Sequence, residues 1–460
     1  MSESNSTQLI LIDLHATNRR ALLLLPLMLA LVGAWFAIRW YTGNTVAEYG
    51  PGLEEGGIEA ARSAVRLAPR DPLTYWRLAQ LEEKDFGSNQ MDLAVRHYAD
   101  AVALSPNDYR LWMEFGRVLE ENGNVTQAET ALRHAVELAP SYAYPHWYLG
   151  NLLLRADRTD EAFSELRLVA ESTPSLRPQV FSLALKVFGE DAEAIKNAMG
   201  TSTELRGQLA SYFIAGNKLD DALRLWNSFS PAEKKEQHVT GEEVLKALAA
   251  SKRFHAALDV ASELAPEDKA KPLLNQFFNG GFETGTGPSG ATVFGWQITS
   301  IPQAQTIIDS DQHHQGGRSL RIFYRSNSTL TLNTVAQLVV VEPRTQYMFE
   351  CYVRTDQLKS AGTPLFEIVD ETNGAVLGAS APVPSGTSNW FQLTINFETK
   401  ASTEAVRLRI NRASCGQDPV CPIFGTVWYD DFNLQRAGRV AGPKTTNDVK
   451  THNAGTMGAR

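Results

Sequence analysis

The sequence predicts three kinds of structure in one chain of 460 residues: a single N-terminal transmembrane helix, an all-α array of helical hairpins and an all-β sandwich. Three observations predict this. Residues 21–38 form an uncharged apolar run. A proline-ended segment recurs at intervals of 34 to 37 residues from Pro69 to Pro174. Beyond residue 272 the apolar pattern changes to period two with turn-rich breaks.

The first element reads ALLLLPLMLALVGAWFAI. A helix of that length spans about 27 Å, against about 30 Å for a bilayer's hydrocarbon core. Trp40 and Tyr41 follow, where amphipathic rings favour the headgroup level, and Pro26 sits near the start, where a spanning helix tolerates it. A cleaved signal peptide is the competing reading, but the run is long for one and Arg39-Trp40-Tyr41 offers no A-x-A-like cleavage site. Arg19 and Arg20 precede the run and only Arg39 follows closely. This predicts a cytoplasmic N-terminal segment (residues 1–20), an anchor at 21–41 and soluble domains on the periplasmic side. Overall, 43 basic residues against 52 acidic ones give a net charge of −9, which leaves no basic field for nucleic acid.

Residues 42–57 carry scattered glycines and Pro51 and read as a spacer; helical hairpins follow over 58–266. Their punctuation is VRLAP ending at Pro69, VALSP at Pro106, VELAP at Pro140 and AESTP at Pro174. With this period and helical patterning the chain resembles the tetratricopeptide repeat, a helix-turn-helix unit that stacks into a solenoid. In the copy over residues 108–141, Trp112, Phe115, Gly116 and Leu119 match the first helix, and Ala128, Leu132, Ala135 and Pro140 the second. The next copy has Leu149, Gly150, Leu153, Ala162 and Leu166, with His146 where the first aromatic is usual. The preceding one has Trp76, Ala94, Tyr98 and Ala101, with extra residues near Phe86-Gly87-Ser88. After Pro174 the pattern weakens, yet Leu209, Phe213, Ala222 and Trp226, then Val244, Leu248, Ala257 and Ala261, keep helical-pair spacing. The resemblance implies a groove that docks a partner protein; a rigid spacer is the alternative. Repeat-position aromatics belong to the core, so no single binding residue follows from them.

Residues 272–437 supply the sandwich, with strands over 318–324, 347–355, 364–369, 391–397, 405–410 and 426–434 and a hairpin turn at Asn373-Gly374. Of three cysteines, Cys415 and Cys421 bracket the loop CGQDPVC and suit a disulfide in an oxidising compartment, two unpaired thiols being the alternative. The pieces NGGFE (from Asn279), Gly295-Trp296, GGRSLRI (from Gly316), YMFECYVRT (from Tyr347), FEIVDETNGAVL (from Phe366), NWFQLTINF (from Asn389) and WYDDFNL (from Trp428) stand in one order. In that order they resemble the jelly-roll carbohydrate-binding modules of the galactose-binding-like fold. Residues 438–460 are polar and glycine-rich and read as a disordered tail.

Two candidate sites follow. Period two counted back from Phe432 and Leu434 places Asp430 and Trp428 inward, and an inward carboxylate needs a partner. Glu283 is the candidate, since first and last strands of such a sandwich lie together and two carboxylates with backbone carbonyls suit calcium. The resemblance implies a structural calcium here, with Gly281 lending its carbonyl; a carboxylate that accepts only backbone N–H bonds is the alternative. Sugar rings need aromatic faces beside polar groups, and Tyr324, Tyr352, Arg354 and Tyr429 are the candidates, against ordinary solvent-facing sheet residues. Trp296 and Trp390 read as core packing and His313-His314 as exposed.

No nucleophile elbow, P-loop, HExxH helix or Cys–His context occurs, and adjacent Asp430 and Asp431 are expected on opposite sheet faces, so no enzyme is predicted. The leading expectation is a bacterial membrane-anchored scaffold whose repeats dock proteins and whose jelly roll binds polysaccharide in envelope or exopolysaccharide assembly. The alternative is a structural subunit of a membrane complex with no glycan.

Overall fold

The computed structural model describes residues 17–85, 87, 89–189, 191–266, 269–284, 293–330, 332, 334–416 and 420–439. Most of the expected N-terminal segment, Phe86 and Ser88 of the long turn, and the expected tail from residue 440 lie outside the described residues. The chain divides into two compact units between Thr201 and Ser202.

The first unit opens with α1 (Thr17–Tyr49), which holds an 18-residue apolar window of mean hydropathy 1.6 with none of it buried. This helix is long and apolar enough to cross a membrane. Its last turns correct the expected spacer. They pack on α2 (Gly57–Leu67) and α3 (Pro72–Glu83), because Gly43 lets the backbones meet: a Cβ there would lie 2.8 Å from Ala68 Cβ. Ala47 is buried, Asn44 donates to Asp71 Oδ2 at 2.8 Å and Arg39 to the Arg66 carbonyl at 2.6 Å. The Gly-Pro break comes only at Gly50 and Pro51.

Then come α4 (Gln90–Leu104), α5 (Tyr109–Glu121), α6 (Val125–Leu138), α7 (Ala143–Arg155), α8 (Thr159–Ser172), α9 (Arg177–Phe188) and α10 (Ala192–Met199). Pairs α3/α4, α5/α6 and α7/α8 form antiparallel hairpins, and Asp71 and Asp108 cap the first helix of the first two by accepting an N–H two residues on. The small residues are set by close approach: a Cβ on Gly116 would stand 2.6 Å from Leu132 Cγ, and one on Gly150 2.8 Å from Leu166 Cγ. Leu119, Leu132, Leu149 and Leu153 fill the space between hairpins.

The second unit joins the last helices to the sandwich. Helices α11 (Thr203–Ala215), α12 (Leu219–Asn227), α13 (Pro231–Glu236), α14 (His238–Ala250) and α15 (Phe254–Leu264) precede ten strands. These are β1 (Gln297–Ile298), β2 (Ala304–Asp309), β3 (Ser319–Ser326), β4 (Val335–Val340), β5 (Thr345–Lys359), β6 (Pro364–Asp370), β7 (Val376–Ala379), β8 (Gly386–Glu398), β9 (Ala405–Arg412) and β10 (Ile423–Arg439). They form two antiparallel sheets, β1-β4-β9-β6-β7 and β2-β3-β10-β5-β8, around a core that includes Phe282, Trp296, Tyr347, Phe349, Phe366 and Phe432. Alternation along β4 sends Val335 and Val339 into that core. Leu338 and Val340 face outward and join Ala405, Phe254, Leu258 and Phe294 in a second apolar cluster. The last helices therefore cover part of the first sheet's outer face.

Candidate functional site

Strand β10 decides what the second sheet's outer face displays. A bulge interrupts this strand: Asp430 pairs with Tyr352 and Asn433 with Glu350, so three steps on β10 match two on β5, and Asp431 takes φ 50°. Before the bulge Val427 and Tyr429 face the core; after it Phe432 and Leu434 do. This corrects the inward placing of Trp428 and Asp430. Both stand on the outer face, although loops and neighbours bury them. It also removes the expected separation of Asp430 and Asp431. Asp430 Oδ2 accepts the His314 backbone N–H at 2.7 Å, and Asp431 Oδ2 lies 2.6 Å from His314 Nδ1, so both carboxylates serve one loop.

Of the four sugar candidates, two are corrected. Tyr324 and Tyr429 are 1% and 0% exposed in the inter-sheet core, where burial raises both phenols, and they offer no face to a ligand. Tyr352 and Arg354 alternate outward as expected, while Tyr347, Phe349, Cys351 and Val353 are buried. The structure adds partners that the sequence did not reveal. His314 stacks on Tyr352 with ring centroids 3.7 Å apart and planes at 11°, and Trp390 lies 5.8 Å from His314. Trp390 is half-exposed on β8 and His314 half-buried, against the expected core and solvent positions. Period two along β8 could have placed Trp390 with Gln392, whereas nothing in DQHHQGG announces the stack.

Below this aromatic group runs a strip of amides. Glu350 accepts from Gln392 at 2.6 Å and from Asn433 and Gln435 at 2.8 Å each, which fixes all three side chains. Above it, Trp428 lies between Arg321 and Arg354, whose guanidinium carbons are 5.7 and 5.8 Å from its ring centre. The Trp428 N–H donates to Asp309 Oδ2 at 2.8 Å. Burial raises Asp309, but this bond and backbone N–H groups outweigh it and hold the carboxyl below its ordinary value. Rings beside fixed amides and a cation can stack on a sugar and bond its hydroxyls.

The calcium candidates also meet. Phe432 N–H donates to the Gly280 carbonyl at 3.0 Å, tying the NGGFE segment to β10. A Cβ on Gly281 would come within 3.8 Å of Asp431 Oδ1 and 3.9 Å of Asp430 Oδ1, space that a side chain would fill. Glu283 Oε1 accepts from the amides of Gly317 and Arg318 at 2.8 and 3.2 Å. Burial pushes Asp430 up to about 6, with Asp431's charge adding to it. Among the described residues no group of three or more His, Cys, Asp or Glu has metal-holding geometry. Asp430 and Glu283 both accept backbone N–H bonds, as in the alternative reading; a hard cation here would draw on these two carboxylates and nearby backbone carbonyls, the oxygen donors that calcium takes. Cys415 and Cys421 form a disulfide with Cα atoms 6.0 Å apart, beside Arg412, which donates to the Cys421 carbonyl at 2.9 Å.

In the first unit, Arg117 on α5 reaches Glu83 on α3 at 2.7 Å, and Arg155 on α7 reaches Glu120 at 2.5 Å, so successive first helices are cross-linked. A cavity of about 350 Å³ opens beside Trp147 of α7 and Gln179, Leu183 and Lys186 of α9.

Comparison with known proteins locates the repeats. A tetratricopeptide-repeat family model matches residues 85–143 and 113–176. Protein O-mannosyl-transferase TMTC1 is 29% identical in Mus musculus and 28% in Homo sapiens over 115 residues, 24% of this chain. The chain spans only 11% and 12% of those relatives. Among solved structures, MamA covers 43% of this chain and 91% of its own at 12% identity and a TM-score of 0.26. TmCBM61, solved with β-1,4-galactotriose, covers 35% and 98% at 16% identity and a TM-score of 0.26. By the family model the chain carries tetratricopeptide repeats within residues 85–176, and its second unit holds a sandwich of two five-stranded antiparallel sheets.

Proposed function

We propose that this protein is a non-enzymatic, membrane-anchored scaffold of a bacterial envelope, whose repeats dock a partner protein and whose jelly roll binds polysaccharide on the outer face of its second sheet. The observation that carries the sugar half is the company of Tyr352. It stands with His314 and Trp390 above amides that Glu350 holds in place. Ordered amides bond hydroxyls without first losing rotamer freedom, and half-exposed rings give the apolar platform. Helix α1 supports the anchor, and Arg19 and Arg20 just ahead of its apolar run support a cytoplasmic N-terminus with the other domains periplasmic. The disulfide suits that side. A compartment-sensitive reporter on the C-terminus reads the orientation; a cytoplasmic signal there would refute it.

Calcium would be held by Asp430, Glu283 and the Gly281 carbonyl, tying the first segment of the sandwich to its last strand. It would supply the countercharge that the ionised Asp430 needs.

Affinity electrophoresis of the full chain in detergent, through gels containing soluble polysaccharides, tests the sugar reading. At least one glycan should retard wild type, and Trp390→Ala with Tyr352→Ala should lose about tenfold in affinity, the order expected for removing aromatic contacts. Retardation by no glycan leaves the second reading, a structural subunit of a membrane complex without a glycan. That reading has its own support: α15 already uses the outer face of the first sheet for protein packing.

A further inference from the structure

Arg354 is the unmatched charge of this face. It makes no hydrogen bond or ion pair among the described residues, and its Nε is buried without a partner. Arg321, across Trp428, has the same unpartnered Nε and only a 3.9 Å approach to Asp309. Carboxylates of this sheet have other partners: Glu350 accepts from three amides, Asp309 from Trp428, Asp430 and Asp431 serve the His314 loop, and Asp356 accepts from Thr387. The guanidinium thus has no partner inside the protein, and its half-exposed end is left to bond a ligand oxygen. Register places this cation beside the aromatic group, since Trp428 pairs with Arg354 and Asp430 with Tyr352 on the same face.

We infer that the face binds acidic polysaccharide, with a uronate ring against the Tyr352, His314 and Trp390 group and its carboxylate on Arg354. This rests on the glycan reading above and names its substrate class. The planar fork of a guanidinium matches a carboxylate in two parallel bonds, a geometry that no neutral hydroxyl reproduces. General attraction cannot substitute for it, because the chain carries a net charge of −9 and repels polyanions at long range.

The test measures the full chain in detergent against polygalacturonate, polymannuronate and polyglucuronate, each beside its carboxyl-reduced neutral form, at fixed ionic strength. A uronate should bind at least about tenfold more tightly than its reduced form, the scale of one charge-assisted hydrogen bond. Arg354→Gln should abolish that preference, so that acidic and neutral polymers bind equally, with the near-ultraviolet circular dichroism of wild type retained. Equal binding of both forms would keep the glycan reading and overturn the acidic one. So would preference for the acid that survives Arg354→Gln. Binding of no acidic or reduced polymer would overturn both.

Discussion

His146 does by other chemistry what Trp112 does one repeat earlier. The Trp112 indole donates to the Pro106 carbonyl at 2.8 Å, six residues back; His146 Nε2 stands 2.9 Å from the Pro140 carbonyl at the same separation. Its Nδ1 lies 2.5 Å from Glu165 Oε2, so protonated imidazole satisfies both acceptors. The Glu165 bond raises its pKa from 6.5, outweighing burial. A folded pKa above the unfolded one means the stabilisation is complete below about 6.5 and fades as pH rises through the folded value. Melting temperature against pH should therefore fall on the alkaline side for wild type more than for His146→Phe; parallel curves would show that the pair contributes nothing. Asp430 obeys the same sign. Its folded pKa of about 6 means that its ionised form costs stability above that pH unless a cation compensates. At pH 7.5 in chelator, Asp430→Asn should melt no lower than wild type, and calcium should raise the melting temperature of wild type alone. A calcium response that is absent, or equal in both, removes the proposed site.

At the scale of elements, what was legible followed strict periods. The repeat helices are readable because each buries one face against the next hairpin, forcing Gly116, Ala128 and Leu132 into fixed spacing. Strand β5 is readable for the same reason, with core residues at every second place from Tyr347 to Val353. Strand β10 was not. One inserted residue inverts alternation, and Asp431, not a glycine, takes the positive φ, so no residue type marks the step. The inversion reaches the site: Tyr429 lies in the core and Trp428 on the outer face, the reverse of what strict alternation predicts. Gly43 misled differently. Among Gly50, Gly52 and Pro51 it suggested a flexible spacer, yet it serves a helix crossing, since a residue without Cβ permits either use.

For the molecule as a whole, the boundary that matters is not where helix gives way to strand. Helices α11–α15 were expected to close the repeat array, and their spacing is that of repeats, but they belong to the compact unit that contains the sandwich. The cause is visible in the outward residues of β4 and β9. Leu338, Val340 and Ala405 would be an apolar patch on an isolated sandwich, and here Phe254, Leu258 and Phe294 share one cluster with them. Asn275 N–H donates to the Val340 carbonyl at 2.9 Å, and Tyr347 Oη donates to Asn275 Oδ1 at 2.6 Å, so the connecting chain is itself fastened to the sheet. Cutting at residue 272 removes α15 and strips that cover, at about 25 cal/mol for each Å² of apolar surface returned to water. A fragment of residues 202–439 should accordingly be monomeric and unfold in one cooperative transition. One of residues 272–439 should associate or bind a hydrophobic dye, and Leu338→Ser with Val340→Thr should relieve that association. Gel filtration and thermal melts of the three separate the cases. If the shorter fragment is as monomeric and as stable as the longer, the helices are neighbours of the sandwich and not part of its folding unit.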